Sequence, residues 1–212
     1  MFESLTLHHT PESHPDTRTP DPHQDTFSKT LLGFWIYLMT DCLVFAVLFT
    51  TYAVLHDQTV GGPSGKELFH LSTAFIETML LLFSSITCGL AVLSAVKSAS
   101  YQTVFWLGVT FLLGASFISI ELREFFELIE AGNGWGRSAF LSSFFALVGT
   151  HGLHVSFGLV WAAVMMGQVI GFGITLETFR RLVTFSLFWH FLDLVWIFIF
   201  TFVYLTPLGS PI

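Results

Sequence analysis

The sequence predicts an all-α integral membrane protein, a bundle of five transmembrane helices. Three observations carry that prediction. The chain of 212 residues is 53% hydrophobic and only 11% charged, where an ordinary soluble domain carries about 25% charge, and its mean hydropathy is +0.71. Apolar stretches recur at about 31–55, 71–96, 103–129, 139–170 and 182–205, each long enough to cross a hydrocarbon core that takes roughly 20 helical residues. Strand-length segments with period-two alternation are absent from the sequence, which argues against a transmembrane β-barrel.

Taken in order, residues 1–30 are rich in Pro, Asp, Thr and His and lack the basic start and short apolar run of a signal peptide. They read as a disordered polar tail; its histidines, His8, His9, His14 and His23, suggest adventitious metal binding rather than a built site. The five-helix domain takes residues 31–208. Its first stretch carries Asp41 and ends before Gly61-Gly62-Pro63-Ser64-Gly65, and its second carries Glu77 ahead of Ser84-Ser85-Ile86-Thr87. After the break Lys97-Ser98-Ala99-Ser100, the third ends in Glu121-Leu122-Arg123-Glu124-Phe125-Phe126-Glu127 and stops at Gly132-Asn133-Gly134. The fourth has no Asp, Glu, Lys or Arg from Ser138 to Leu176 and reads as one long or tilted helix ending near Gly167–Gly171. The fifth holds His190 and Asp193 one turn apart in an otherwise apolar run.

Charge sets the expected orientation. With the amino terminus cytoplasmic and the carboxyl terminus periplasmic, Arg18, Lys29, Lys97, Arg180 and Arg181 fall inside, against Lys66, Arg137 and Arg123 outside, in keeping with the positive-inside rule. The net charge of -7 and the lack of a basic cluster argue against a nucleic-acid partner. Cys42 and Cys88 lie within apolar segments and read as two small buried hydrophobes rather than a disulfide. Gly108, Gly114, Gly149, Gly152 and Gly158 suit close helix approach. Trp35, Trp106 and Trp135 fall near helix ends, where membrane-interface anchors sit, and Trp161 lies deeper.

Ionisable side chains inside a membrane are costly and mark either packing partners or function. Counting along helices at about 1.5 Å per residue, Asp41, His151, His154, His190 and Asp193 reach one layer near mid-membrane. Spacing of three residues lets His151 with His154, and His190 with Asp193, each share a helix face directed into the bundle. Three readings of the layer stay open: interhelical hydrogen bonds and ion pairs that fix packing, a proton relay, and a metal or haem site. The third lacks the dense ligand pattern, such as repeated Glu-x-x-His, that di-iron and zinc sites use. Glu77 falls nearer the outer face, as a protonated carboxyl or one hydrogen-bonded to a neighbour's hydroxyl. Glu121 and Glu124, with Arg123 and Glu127, read as an outer rim that water reaches, paired there or meeting a partner subunit.

With these residues in view the chain resembles subunit III of the haem–copper terminal oxidases, from about Leu31 to Leu208. Gly149-Thr150-His151-Gly152-Leu153-His154-Val155 matches that family's G-x-H-G-x-H-V element, and Trp189-His190-Phe191-Leu192-Asp193-Leu194-Val195-Trp196 its W-H-F-x-D-x-V-W element. Gly33-Phe34-Trp35-Ile36-Tyr37-Leu38-Met39-Thr40-Asp41 is similar to the helix carrying the family's buried carboxylate. Asp41 stands where mitochondrial-type members have glutamate, keeping the acid on a shorter side chain. Five spans rather than seven, and the segment Glu77 to Thr87, resemble the bo-type ubiquinol oxidases more than the mitochondrial type.

The resemblance implies a non-catalytic subunit with no redox cofactor and no metal of its own. The haems, copper and quinol site would belong to subunit I, in a proton-pumping ubiquinol oxidase of a bacterial inner membrane that passes electrons from quinol to O2 in aerobic respiration. This chain would support assembly, lipid binding and proton uptake by subunit I, with phospholipid held in a V-shaped cleft and other oxidase subunits as partners. A cytochrome c oxidase of the same family, and an autonomous proton-coupled transporter or channel, are the alternatives; the absence of internal sequence repeats speaks against the transporter.

Overall fold

The computed structural model describes residues 22–59 and 71–205. Arg18, Lys66, His8, His9, His14, the side chain of His23 and the glycine-rich stretch 61–65 lie outside what is described. Five helices follow in order: α1 (Pro22–Leu55), α2 (Leu71–Val96), α3 (Ser100–Glu130), α4 (Ala139–Phe172) and α5 (Leu176–Ile199), the last continuing as a π-helical turn, Phe200–Leu205. All five are long and apolar enough to cross a membrane, and no strand occurs among the described residues.

Two helix starts differ from the sequence expectation. α1 opens at Pro22, well before residue 31, so the last part of the predicted tail is helical. Apolarity marks where a span can enter lipid, not where the backbone starts to turn, and the membrane-length portion of α1 does begin at Lys29. Proline suits a first helical position because its missing N–H would have no intrahelical partner there. α5 begins at Leu176 rather than 182 because Thr175 caps it, its hydroxyl accepting from the Thr178 amide at 3.1 Å. An exposed Arg181–Glu177 pair at 3.3 Å follows on the first turns.

The turns explain the short connections. Ser98 takes φ 56°, with its amide donating to Ala95 O and the Ala99 amide to Ser94 O. That is the paired pattern of a Schellman stop. Gly132, at φ 77°, ends α3 in the same way, through Gly132 to Ile129 and Asn133 to Leu128. Ser138 then opens α4 by accepting from the Leu141 amide at 3.2 Å.

Packing places α2, α3, α4 and α5 in a closed ring, α2 against α3, α3 against α4, α4 against α5 and α5 against α2, with α1 laid along α4 and α5. The described helices thus form a ring with one flanking helix, and the second arm of the V implied by the resemblance is not among them. Trp189 of α5 fills the ring's centre. A Cβ on Gly114 would stand 2.8 Å from its indole, and one on Gly158 2.9 Å, so those two glycines let α3 and α4 close on the ring system. Gly108 has open space instead, so close approach does not explain it. Cys88 is buried as expected, whereas Cys42 is exposed on the flanking helix, because α1 packs against the ring along one face only.

Candidate functional site

Asp41 projects from α1 toward α4, where its Oδ2 stands 3.8 Å from His154 Nε2. Tyr37, one turn earlier on α1, lies against the same carboxyl. The other nitrogen, His154 Nδ1, is 2.7 Å from the Thr150 carbonyl. A carbonyl only accepts, so Nδ1 carries the hydrogen. A neutral ring then presents a bare Nε2 lone pair to Asp41, and the approach is attractive when a proton sits on Nε2 or on the carboxyl. The contact can therefore brace α1 against α4.

His151, one turn before, points elsewhere. It is completely buried, and neither ring nitrogen has a hydrogen-bond partner. Its ring packs among Phe45 of α1, Phe117 of α3 and Trp196 of α5, at centroid distances of 6.4, 5.9 and 5.3 Å. Of the two α4 histidines predicted at the level of Asp41, it is His154 that approaches the carboxyl.

The remaining members of the predicted layer lie apart. His190 is exposed rather than directed into the bundle, and Asp193, half-buried, faces Ser85 of α2 and His190. Trp189 and Trp196 occupy the inward face of α5, so His190, next to Trp189, falls outside while Asp193 stays at the α5–α2 seam. His190 Nδ1 donates to the Ser186 carbonyl at 2.7 Å, the same tautomer-fixing bond as in His154, leaving Nε2 available at the bundle surface. His151 and His190 are not brought together as a haem ligand pair. Among the described residues no three His, Cys, Asp or Glu side chains are grouped to hold a metal ion.

The acids near the other level also differ from expectation. Glu121 is 3% exposed, so it belongs to the interior rather than a wet rim. Helix periodicity explains this, since Glu121 shares its face with Phe117 and Gly114, both buried on α3. Glu77 is 0% exposed and interacts with Glu121 and Glu124 across the α2–α3 interface. Glu124 is half-buried. Only the outermost part behaves as a rim, where exposed Arg123 donates to Glu127 at 2.8 Å.

Several structural polar residues escaped the sequence reading. The indoles of Trp189 and Trp196 donate across to α2, to Ser84 Oγ at 3.0 Å and Thr78 Oγ1 at 3.1 Å. Thr87 and Thr110 join α2 to α3 at 2.8 Å. Tyr52 and Tyr204, both buried near the ends of their elements, were hidden in apolar runs. The signal available was spacing: Trp189 and Trp196 are seven residues apart on one face of α5, and Thr78 and Ser84 stand at matching heights on antiparallel α2.

Fold and site together define a polytopic helical membrane protein whose buried hydroxyl, imidazole and carboxyl groups join helices. The chain belongs to the family described as cytochrome c oxidase subunit III, whose model matches residues 19–207. It is 55% identical over 205 residues to cytochrome bo(3) ubiquinol oxidase subunit 3 of Pseudomonas aeruginosa, covering 97% of this chain and 98% of that one. It is 43% identical over 198 residues to quinol oxidase subunit 3 of Bacillus spizizenii, covering 93% and 97%. Cytochrome c oxidase subunit 3 of Bacillus sp. PS3 is 45% identical over 174 residues, covering 82% and 84%.

Proposed function

We propose that this chain is the third subunit of a proton-pumping ubiquinol oxidase, a non-catalytic partner of the haem- and copper-bearing subunit I. The observation that carries the reading is the 55% identity to a bo(3) ubiquinol oxidase subunit 3 over 97% of this chain and 98% of the relative. The polar side chains support it: Asp41–His154, Trp189–Ser84 and Trp196–Thr78 each join two helices, which is what a bracing and assembly subunit needs. The exposed His190 beside Asp193 supports a partner surface, since ionisable groups rarely face bare lipid.

Residence in a bacterial inner membrane, with the amino terminus cytoplasmic, completes the proposal. Lys29, Lys97, Arg180 and Arg181 would then lie inside and Arg137 outside. Phospholipid would lie along the exposed apolar faces of the helices, such as the groove of about 530 Å³ beside Leu43, Val47 and Val54 of α1.

Purification of the tagged chain in mild detergent tests the reading. Haem absorption bands, larger co-purifying subunits and ubiquinol-driven oxygen uptake are expected. Oxygen uptake driven by reduced cytochrome c but not by ubiquinol would move the chain to the cytochrome c branch, to which the Bacillus sp. PS3 relative is assigned by name. A colourless chain that never associates with other subunits and transports protons alone in liposomes would overturn both.

A further inference from the structure

One polar cluster lies beyond the bracing pairs, where α1 and α3 end and α2 begins. Glu77 of α2 and Glu121 of α3 are 0% and 3% exposed, and all four carboxyl oxygens are buried without a hydrogen-bond partner. The hydroxyl of Tyr52, from α1, is likewise buried without one. Tyr204 lies close by, its phenol within electrostatic reach of Glu121, Glu124, Glu77 and Tyr52. It arrives on the π-helical turn Phe200–Leu205. Such turns often occur at functional sites, because the extra residue per turn re-aims side chains. The groups thus converge from four separate elements.

An isolated carboxylate in an apolar interior is strongly disfavoured, and two side by side more so. Among the described residues the electrostatic neighbours of Glu77 are the carboxyls Glu121 and Glu124, and that of Glu121 is Glu124; no basic side chain is among them. A divalent cation would want about six to eight oxygen ligands, and no set of three acidic or histidine ligands is assembled here. A proton shared between the carboxyls removes the like-charge repulsion. Bound water would satisfy the other oxygens, as it does in buried polar sites that offer it two to four partners. Access exists too. Glu121 lines a groove of about 420 Å³ between α3 and α4, with Phe125, Gly149, Gly152 and Ser156, and Glu77 sits within about 10 Å of the start of α2.

We propose that Glu77 and Glu121, with the Tyr52 and Tyr204 phenols, form an internal water- and proton-binding site near one membrane face. The site holds bound water and one proton shared between the two carboxyls, and it exchanges with solvent through that face. It belongs to this chain and stands independently of the electron donor assigned above.

Infrared difference spectroscopy of the intact detergent-purified complex, exchanged from H2O into D2O, tests it. A protonated-carboxyl C=O band that shifts on deuteration is expected, lost in Glu77→Gln and lost or displaced in Glu121→Gln because the proton is common to both. Glu127→Gln, in the exposed pair with Arg123, leaves the band unchanged. A band untouched by both site variants overturns the proposal. Should either variant fail to assemble, a high-resolution map of the unaltered complex decides. Water density bridging Glu77, Glu121 and Tyr52 upholds the site; a dry gap, a metal ion, or a partner subunit's basic side chain in its place overturns it.

Discussion

The indole N–H of Trp189 on α5 donates to the Ser84 hydroxyl on α2 over 3.0 Å, while its ring passes between Gly114 of α3 and Gly158 of α4. One side chain therefore meets the three other helices of the ring. A tryptophan suits the place because its area fills the space between four helices and its single donor fixes its orientation. Where lipid tails are as apolar as the core, helix association rests on such close packing and interhelical hydrogen bonds.

The glycines beside Trp189 are accordingly not interchangeable with alanine. A Cβ at Gly158 would stand 2.9 Å from the indole and 3.4 Å from Phe188, and one at Gly114 would meet the indole at 2.8 Å. Trp189 cannot retreat without breaking its bond to Ser84. Gly158→Ala and Gly114→Ala are each expected to destabilise by about 1–3 kcal/mol, read as a lower thermal midpoint in detergent. The two effects should not add, because both act on one ring. Gly108→Ala, in open space, should be neutral or stabilise by up to about 1 kcal/mol. Equal behaviour of all three would refute the packing argument.

Removing the acceptors on α2 should cost more than their size suggests. Ser84 Oγ also donates to the Leu81 carbonyl at 2.7 Å, and Thr78 Oγ1 to the Ala74 carbonyl at 2.8 Å. Each hydroxyl is thus engaged locally and across the interface. Ser84→Ala and Thr78→Val leave the buried N–H of Trp189 or Trp196 without a partner, at about 1–3 kcal/mol each. The indole N–H signals in Raman spectra should shift to a weakly bonded position. Unshifted signals would mean that the indoles do not rely on these hydroxyls.

Fold class and the five spans were legible because apolar length is a direct consequence of bilayer thickness. Depth was partly legible as well: it places Asp41, His151 and His154 at one level, and Asp41 and His154 do approach each other. Azimuth was not. At positions such as His190 and Glu121 almost every neighbouring side chain is apolar, so hydropathy gives no phase to say which face turns inward. His190 therefore appears at the surface and Glu121 in the interior, each opposite to its sequence reading. The indole donors were invisible for a related reason: tryptophan in a span reads as an apolar or interfacial residue until a hydroxyl is found opposite it.

The Asp41–His154 approach should register as coupling rather than as a large single-site loss. At 3.8 Å it is longer than a hydrogen bond and acts as a charge contact between the two helices. In a double-mutant cycle of Asp41→Asn and His154→Gln, scored by thermal midpoint, a coupling of about 0.6–1.7 kcal/mol is expected, the range of polar interhelical contacts in membranes. Additivity within about 0.3 kcal/mol would show that the two residues act separately. His151→Phe should leave most of that coupling, since His151 makes no contact with Asp41 and shares only the Phe45 ring with His154.

The exposed His190 and the half-buried Asp193 beside it separate subunit association from the chain's own stability. His190 is exposed, so His190→Ala should change the thermal midpoint of the isolated chain by no more than about 0.5 kcal/mol. In the assembled complex the same face would be buried against a partner, and the loss of a polar contact there costs about 1–3 kcal/mol, or about five- to more than 100-fold in association. Asp193→Ala should act in the same direction and also disturb the α5–α2 seam, because Asp193 faces Ser85. Both variants are therefore expected to reduce retention of the chain during detergent purification, with only Asp193→Ala altering its own melting. Removal of the exposed Arg123–Glu127 pair by Glu127→Gln should do neither beyond about 0.5 kcal/mol. Undiminished retention of both His190→Ala and Asp193→Ala would place the partner surface elsewhere on the bundle.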